Sequence, residues 1–157
     1  MATQVIPFEI THFDRMELGE ECRRGTSYEG FRSLCAAYPR LGTAWTLIDG
    51  DLVIGAAGVI RFCPGVGEAW ALNSVHVLRY PKAFYRAVKE GLEESIKRLG
   101  LHRVQAVVAA NHPRGHRWIK ALGFEFEGVL RAYGYNGDDY AIYGRVTKCK
   151  QSTPPPH

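Results

Sequence analysis

Residues 111–131 read NHPRGHRWIKALGFEFEGVLR and contain the clearest local structure signals of this chain. Pro113 suits the first turn of a helix, because the backbone N–H groups of that turn have no acceptor within the helix. Gly123 can adopt the left-handed conformation that ends a helix, and Phe124 then starts a strand. The segment therefore predicts a helix that Asn111 and Pro113 open and Gly123 ends, followed by a strand over 124–132.

The preceding segment predicts a strand, a helix and a second strand. Residues 68–77 and 104–109 are rich in apolar residues, and the second run has the composition of a strand covered on both faces. Between them, apolar side chains recur at three- and four-residue steps over 83–99, as on one face of a helix. A crossover of this kind makes its two strands parallel. We therefore expect 69–77 and 104–109 to be adjacent and parallel.

The remaining segments extend this unit into one sheet. Further strands are predicted at 5–11, 44–48, 52–60 and 140–146, and one or two short helices over 13–37. Gly55 and Gly58, inside a strand, indicate a bulge or a close backbone approach. The fold class is α/β, a mixed sheet of six or seven strands with helices on both faces. One domain spans 1–147, and the proline-rich tail, 148–157, is expected to be disordered.

Composition narrows the function classes. The 157 residues suffice for one domain with a substantial core. The net charge of +4 comes from scattered basic residues, so nucleic acid is not an expected partner. No apolar run reaches the roughly 20 residues of a membrane span. Cysteines 22, 35, 63 and 149 form no metal-ligand pattern, which favours reduced thiols, a cytoplasmic location and no bound metal.

The element order, together with Leu122-Gly123-Phe124 and Glu127-Gly128, resembles the GNAT superfamily of N-acetyltransferases. The resemblance covers about residues 5–147 and is most specific within 68–131. It implies that the two parallel strands separate and admit the pantetheine arm of acetyl-CoA. The implied function is transfer of an acetyl group to an unidentified amine, either a small molecule or a peptide.

The resemblance also implies a diphosphate-binding turn ahead of the 83–99 helix. In the family, backbone amides at this helix start hold the diphosphate, and glycines allow the close approach. Here Ala83 and Tyr85 occupy the glycine positions, and Pro81 lacks an N–H. Arg79 and Lys82 supply positive charge instead, unless they are merely solvated.

The resemblance also implies cofactor contacts at the ends of the two parallel strands. Asn111 follows the second parallel strand and is expected to contact the cofactor, although a plain N-cap role is equally consistent with its position. The full set is Val75, Val77, Arg79, Lys82, Ala83 and Asn111.

Two residues are candidates for the base that must accept a proton from the amine. Glu68 begins the first parallel strand and is the better placed, and His76 on the same predicted strand is the second candidate. A strand-end glutamate can equally be a solvated edge residue. The tyrosine that many GNAT enzymes use as general acid corresponds to Ile119, which with Trp118 fits the apolar face of its helix.

A narrower resemblance is to GNAT-like proteins of tailed bacteriophages, some of which are virion proteins. It rests on the lost glycines, the basic and aromatic turn, and the Trp118-Ile119 pair. It implies an alternative function, an inactive scaffold in the virion or host cytoplasm, with virion proteins as partners. Separately, a second copy of the chain is left open as a partner. The two functions make opposite predictions for acetyl-CoA binding.

Overall fold

The computed structural model describes residues 2–147, so the predicted tail and Cys149 lie outside the described residues. The strands are β1 (Thr3–Pro7), β2 (Gly42–Asp49), β3 (Leu52–Cys63), β4 (Val66–Asn73), β5 (Arg103–Ala109), β6 (Glu125–Leu130) and β7 (Tyr140–Val146). The α-helices are α1 (Ile10–Asp14), α2 (Glu20–Thr26), α3 (Phe31–Leu41), α4 (Pro81–Leu99) and α5 (Pro113–Ala121), and a 3-10 helix spans Val75–Arg79.

The seven strands form one mixed sheet in the order β1-β2-β3-β4-β5-β7-β6. All neighbours are antiparallel except β4 and β5, which are parallel and joined by α4. This confirms the predicted mixed sheet and its parallel central pair. No helix within residues 2–147 is long and apolar enough to cross a membrane.

Several predicted boundaries are wrong, the one or two helices over 13–37 are three, and three of the differences have a clear local cause. β1 ends at Pro7, and Ile10 already begins α1, because the Glu9 and His12 side chains cap that helix start. β4 ends at Asn73, because the Ser74 hydroxyl accepts a hydrogen bond from the backbone N–H of His76 and turns the chain into the 3-10 helix. The residue that precedes α5 is His112, so Asn111 does not cap the helix.

The sheet separates two cores. Under α4 and α5, Val88, Leu92, Leu122 and Phe124 are buried as predicted, whereas Trp118 is only partly buried. On the other face, α1 and α3 cover a second cluster that is rich in aromatic side chains, Phe8, Phe31 and Tyr38. The predicted close approach at Gly58 is confirmed, since a Cβ there would lie 2.0 Å from the Thr43 carbonyl oxygen. The cysteines within the described residues, Cys22, Cys35 and Cys63, are free.

Candidate functional site

A cleft opens in the middle of the sheet, where β4 and β5 separate. The two strands pair only from Val66 with Arg103 to Glu68 with Gln105. Beyond this point β4 continues along β3, and β5 continues along β7. The resulting cavity has a volume of 560 Å³. Strand edges that face such a gap carry backbone N–H and C=O groups that a ligand can satisfy.

Small side chains make the cleft wide on the side of α4 and α5. Ala69 and Ala71 of β4 and Ala106 of β5 line it there and pack against the same core cluster. The partly buried Trp118 ring closes this wall and stacks on Phe84, with ring centroids 5.7 Å apart and planes inclined by 10°. This wall is therefore apolar and flat, which suits an uncharged chain-like ligand.

Glu68 lies at the point where the strands separate. Its carboxylate accepts one long hydrogen bond, 3.4 Å, from the Gln105 side-chain amide. Burial raises the pKa of Glu68, because the charged form loses hydration, and the Gln105 contact only partly offsets this. A carboxylate with a raised pKa is a stronger base than an exposed one, so Glu68 is suited to accept a proton from a ligand in the cleft. The prediction that Glu68 is a functional base stays a prediction.

The other proposed base lies elsewhere. His76 belongs to the 3-10 helix and not to the predicted strand, and its ring nitrogen is 3.9 Å from a carboxylate oxygen of Glu17. It is not one of the residues that line the cleft. A contribution of His76 to proton transfer would need a rotation of its side chain away from Glu17.

The predicted cofactor residues divide into two groups. Val75 and Val77 line the cleft, and Ala83 packs against the core beside it. The others, Arg79, Lys82 and Asn111, are exposed and lie outside the cleft walls. Arg79 ends the 3-10 helix, and Asn111 follows β5. Lys82 lies in the first turn of α4 and lines a separate surface groove along that helix.

The start of α4 offers few backbone donors. Pro81 has no N–H, and the Phe84 N–H is bonded to the Tyr80 carbonyl oxygen at 3.0 Å. Helix geometry therefore leaves the amides of Lys82 and Ala83 without an intrahelical acceptor. The Tyr85 side chain is held in place, because its hydroxyl donates a hydrogen bond to the Ala121 carbonyl oxygen at 2.9 Å and links α4 to the end of α5. Any anion at this helix start depends more on side-chain charge than on amides.

Sequence reasoning missed residues on the other sides of the cleft. His112 and Arg114, at the start of α5, line it, and the His112 ring lies 3.8 Å from a carboxylate oxygen of Glu21 in α2. Burial lowers the pKa of His112, which favours the neutral ring. Cys22 and Tyr140 also line the cleft. The signal available in the sequence for the α5 residues was their position directly after a buried strand.

Comparisons with known proteins agree on the fold. No protein-family model matches the sequence, and no curated protein sequence does at a significant level. Among solved structures, the ribosomal-protein-S18-alanine N-acetyltransferase from Escherichia coli superposes with a TM-score of 0.73 at 13% identity, over 99% of both chains. A GNAT-family acetyltransferase from Bacillus anthracis gives 0.69 at 14% identity, over 93% of this chain and 95% of the other.

A third structure includes ligands. The spermidine N-acetyltransferase from Vibrio cholerae, in complex with CoA and spermine, superposes with a TM-score of 0.70 at 18% identity, over 92% of this chain and 95% of the other. The fold of this protein is therefore that of GNAT acetyltransferases. These structures give no support to the narrower resemblance to phage proteins.

Proposed function

We propose that this protein is an N-acetyltransferase that moves the acetyl group of acetyl-CoA to an amine. The observation that carries the proposal is the separation of β4 and β5 around an apolar cleft of 560 Å³, with a carboxylate where the strands part. A fold shared with acetyltransferases supports it, and one of these was solved with CoA and spermine.

The residues present suit direct transfer. The amine nitrogen attacks the thioester carbonyl carbon, the new C–N bond forms, and the C–S bond then breaks to release the CoA thiolate. Glu68 accepts the proton that the amine gives up, directly or through one water molecule, and its raised pKa suits that task. The thiolate takes its proton from solvent, because Ile119 stands where many related enzymes have a tyrosine. The cleft contributes mainly by positioning the two reactants.

The acetyl donor would lie with its apolar arm between the strands and its diphosphate at the start of α4. Val75 and Val77 line the path of the arm, and the amides of Lys82 and Ala83 face the diphosphate. Arg79 and Lys82 add charge there, and Asn111 adds an amide from the α5 side. Because charge replaces most of the amide contacts, we expect affinity to fall steeply with added salt.

Calorimetric titration with acetyl-CoA tests the proposal. We expect saturable binding, which the double substitution Arg79→Ala and Lys82→Ala abolishes without changing the fold. Lys97→Ala with Arg98→Ala, exposed basic residues at the opposite end of α4, is the matched control and should bind normally. If millimolar acetyl-CoA gives neither heat nor a rise in melting temperature, the proposal is wrong, because a bound ligand must stabilise the folded state.

A negative result would favour the alternative, an inactive scaffold that serves as an interaction or virion protein. One observation supports the loss of cofactor binding, although it does not indicate a virion role. Pro81 and Tyr85 leave a poor diphosphate site, and the Tyr85 hydroxyl is engaged with α5. If the variant Tyr85→Gly also fails to bind acetyl-CoA, this alternative is strengthened further.

A further inference from the structure

We infer that the acceptor is a small cationic amine that carries an apolar, preferably aromatic, group. This rests on the proposed function and names the substrate class of the same site. The basis is the composition and closure of the cleft on the face of the sheet opposite α4 and α5.

Aromatic rings form the wall on this face. Side chains alternate along β4, so Glu68 and Trp70 lie on the same face of the sheet. The Trp70 and Tyr38 rings are in contact, with centroids 4.6 Å apart, and both line the cleft together with Phe31. Burial raises the pKa of Tyr38, and the Glu68 carboxylate adds to that rise, so the two groups lie within electrostatic range. Ring faces attract cations and bury apolar groups, so this wall suits both parts of an arylalkylamine.

Carboxylates line the cleft together with these rings. Glu20 and Glu21, in the first turn of α2, line the same cleft as Glu68. Two arginines of this region are already neutralised. Arg24 makes a two-bond contact with the Asp138 carboxylate, at 2.7 and 3.0 Å, and Arg103 makes one with Glu127. The cleft under α2 therefore favours a cation. The His112 ring lies 3.8 Å from Glu21, but burial lowers the pKa of His112 and favours its neutral form, and Arg114 lies at the start of α5.

Helix α2 closes the cleft from above. On the β4 side, the Gly19 N–H donates to the Asn73 carbonyl oxygen at 2.9 Å. On the β7 side, Arg24 is tied to Asp138, and the Tyr28 and Tyr135 rings lie 5.2 Å apart.

Helix α2, which forms the roof of the cleft, lies close to the sheet at Gly25. The Tyr140 hydroxyl lies beneath α2, since a Cβ added at Gly25 would be 3.0 Å from it. A protein N-terminus needs an open groove for the residues that follow it, which a roofed chamber does not offer. Glu20, Glu21 and Glu68 could each face an ammonium group, but the aromatic wall of Trp70, Tyr38 and Phe31 buries an aryl group better than it buries the charged chain of a polyamine. The chamber therefore fits a short arylalkylamine best.

The test is steady-state acetylation, followed by release of the CoA thiol, of phenethylamine, butylamine, spermidine and a short peptide with an N-terminal alanine. We expect kcat/KM for phenethylamine to exceed that for butylamine about tenfold, the effect of burying a phenyl group. We also expect it to exceed the values for spermidine and the peptide. A higher kcat/KM for spermidine or the peptide overturns the inference, and so does bound acetyl-CoA without transfer to phenethylamine. If acetyl-CoA itself does not bind, the proposed function has failed and not only its substrate class.

Variants in α2 test the same inference independently. Glu20→Gln combined with Glu21→Gln should raise KM for phenethylamine several-fold and leave the acetyl-CoA dissociation constant unchanged, because the charges in the first turn of α2 attract the cation. Glu29→Gln, in the exposed link between α2 and α3, is the control and should change neither constant. An effect of the double variant on acetyl-CoA affinity alone would mean that this end of the cleft holds the donor, and would overturn the inference.

Discussion

Substituting Gly55 by alanine should destabilise the protein and narrow the cleft. An added Cβ would lie 2.6 Å from a ring carbon of Phe84 and 3.0 Å from the Leu72 carbonyl oxygen. Neither neighbour yields easily, because the carbonyl belongs to β4 and Phe84 is only 2% exposed and stacked on Trp118. Inserting a methyl group into a filled core costs about 1–3 kcal/mol. For a domain of this size, a loss of about 2 kcal/mol lowers the melting temperature by about 4–8 °C.

The functional consequence follows from the same contacts. A displaced Phe84 ring presses on Trp118, which lines the cleft, so acetyl-CoA should bind more weakly to Gly55→Ala. Circular dichroism melting and calorimetric titration measure the two effects. Gly128→Ala is the control, because a Cβ at this β6 position meets nothing within 4 Å. Its stability should stay constant or rise by about 0.5 kcal/mol. Equal melting temperatures for the two variants would refute the packing of α4 on β3.

Three further outcomes are expected. Trp118→Ala should lower the free energy of unfolding by about 3 kcal/mol, which is the low end for a large core side chain because Trp118 is only partly buried. An unchanged urea midpoint would contradict this. Thr43→Val should cost about 1–3 kcal/mol, since it leaves the buried Val59 N–H without the hydroxyl acceptor that it has at 3.1 Å, whereas Thr43→Ser should cost less. Burial raises the pKa of Glu68 above its ordinary 4.5, so kcat/KM should rise with pH through that higher pKa as the base loses its proton. The free energy of unfolding should fall as pH rises from 4.5 through the raised pKa, because the folded state holds this proton more tightly than the unfolded chain does. Both trends should vanish in Glu68→Gln.

Local sequence signals were sufficient for the elements around the cleft. The spacing of apolar residues over 83–99 predicted α4 because a helix presents every third or fourth residue to the same core. Leu122-Gly123-Phe124 predicted the α5–β6 joint, and Gly123 indeed has a positive φ of 91°. The parallel arrangement of β4 and β5 followed from the crossover between them. These features depend on residues that are close together in the chain.

Element ends depended on hydrogen bonds that composition does not reveal. Val75 and Val77 alternate with polar residues as in a strand, yet the Ser74 hydroxyl bonds the His76 N–H and also donates to the Ile54 carbonyl oxygen at 2.6 Å. The second bond joins residues 20 positions apart and stops the strand. For this reason, the prediction that His76 lies on the same strand as Glu68 is wrong.

The second wall of the cleft was decided by tertiary structure alone. Tyr38 lies in α3 and contacts Trp70 of β4, and Arg24 of α2 reaches Asp138, which is 114 positions further along the chain. No periodicity within one segment can indicate such pairs, because they form only when the sheet brings distant segments to one face. The sequence by itself determined the order of the elements and the parallel pair of strands at which the cleft opens. The enclosure and charge of the cleft under α2 arise from long-range contacts, which depend on how the complete chain packs.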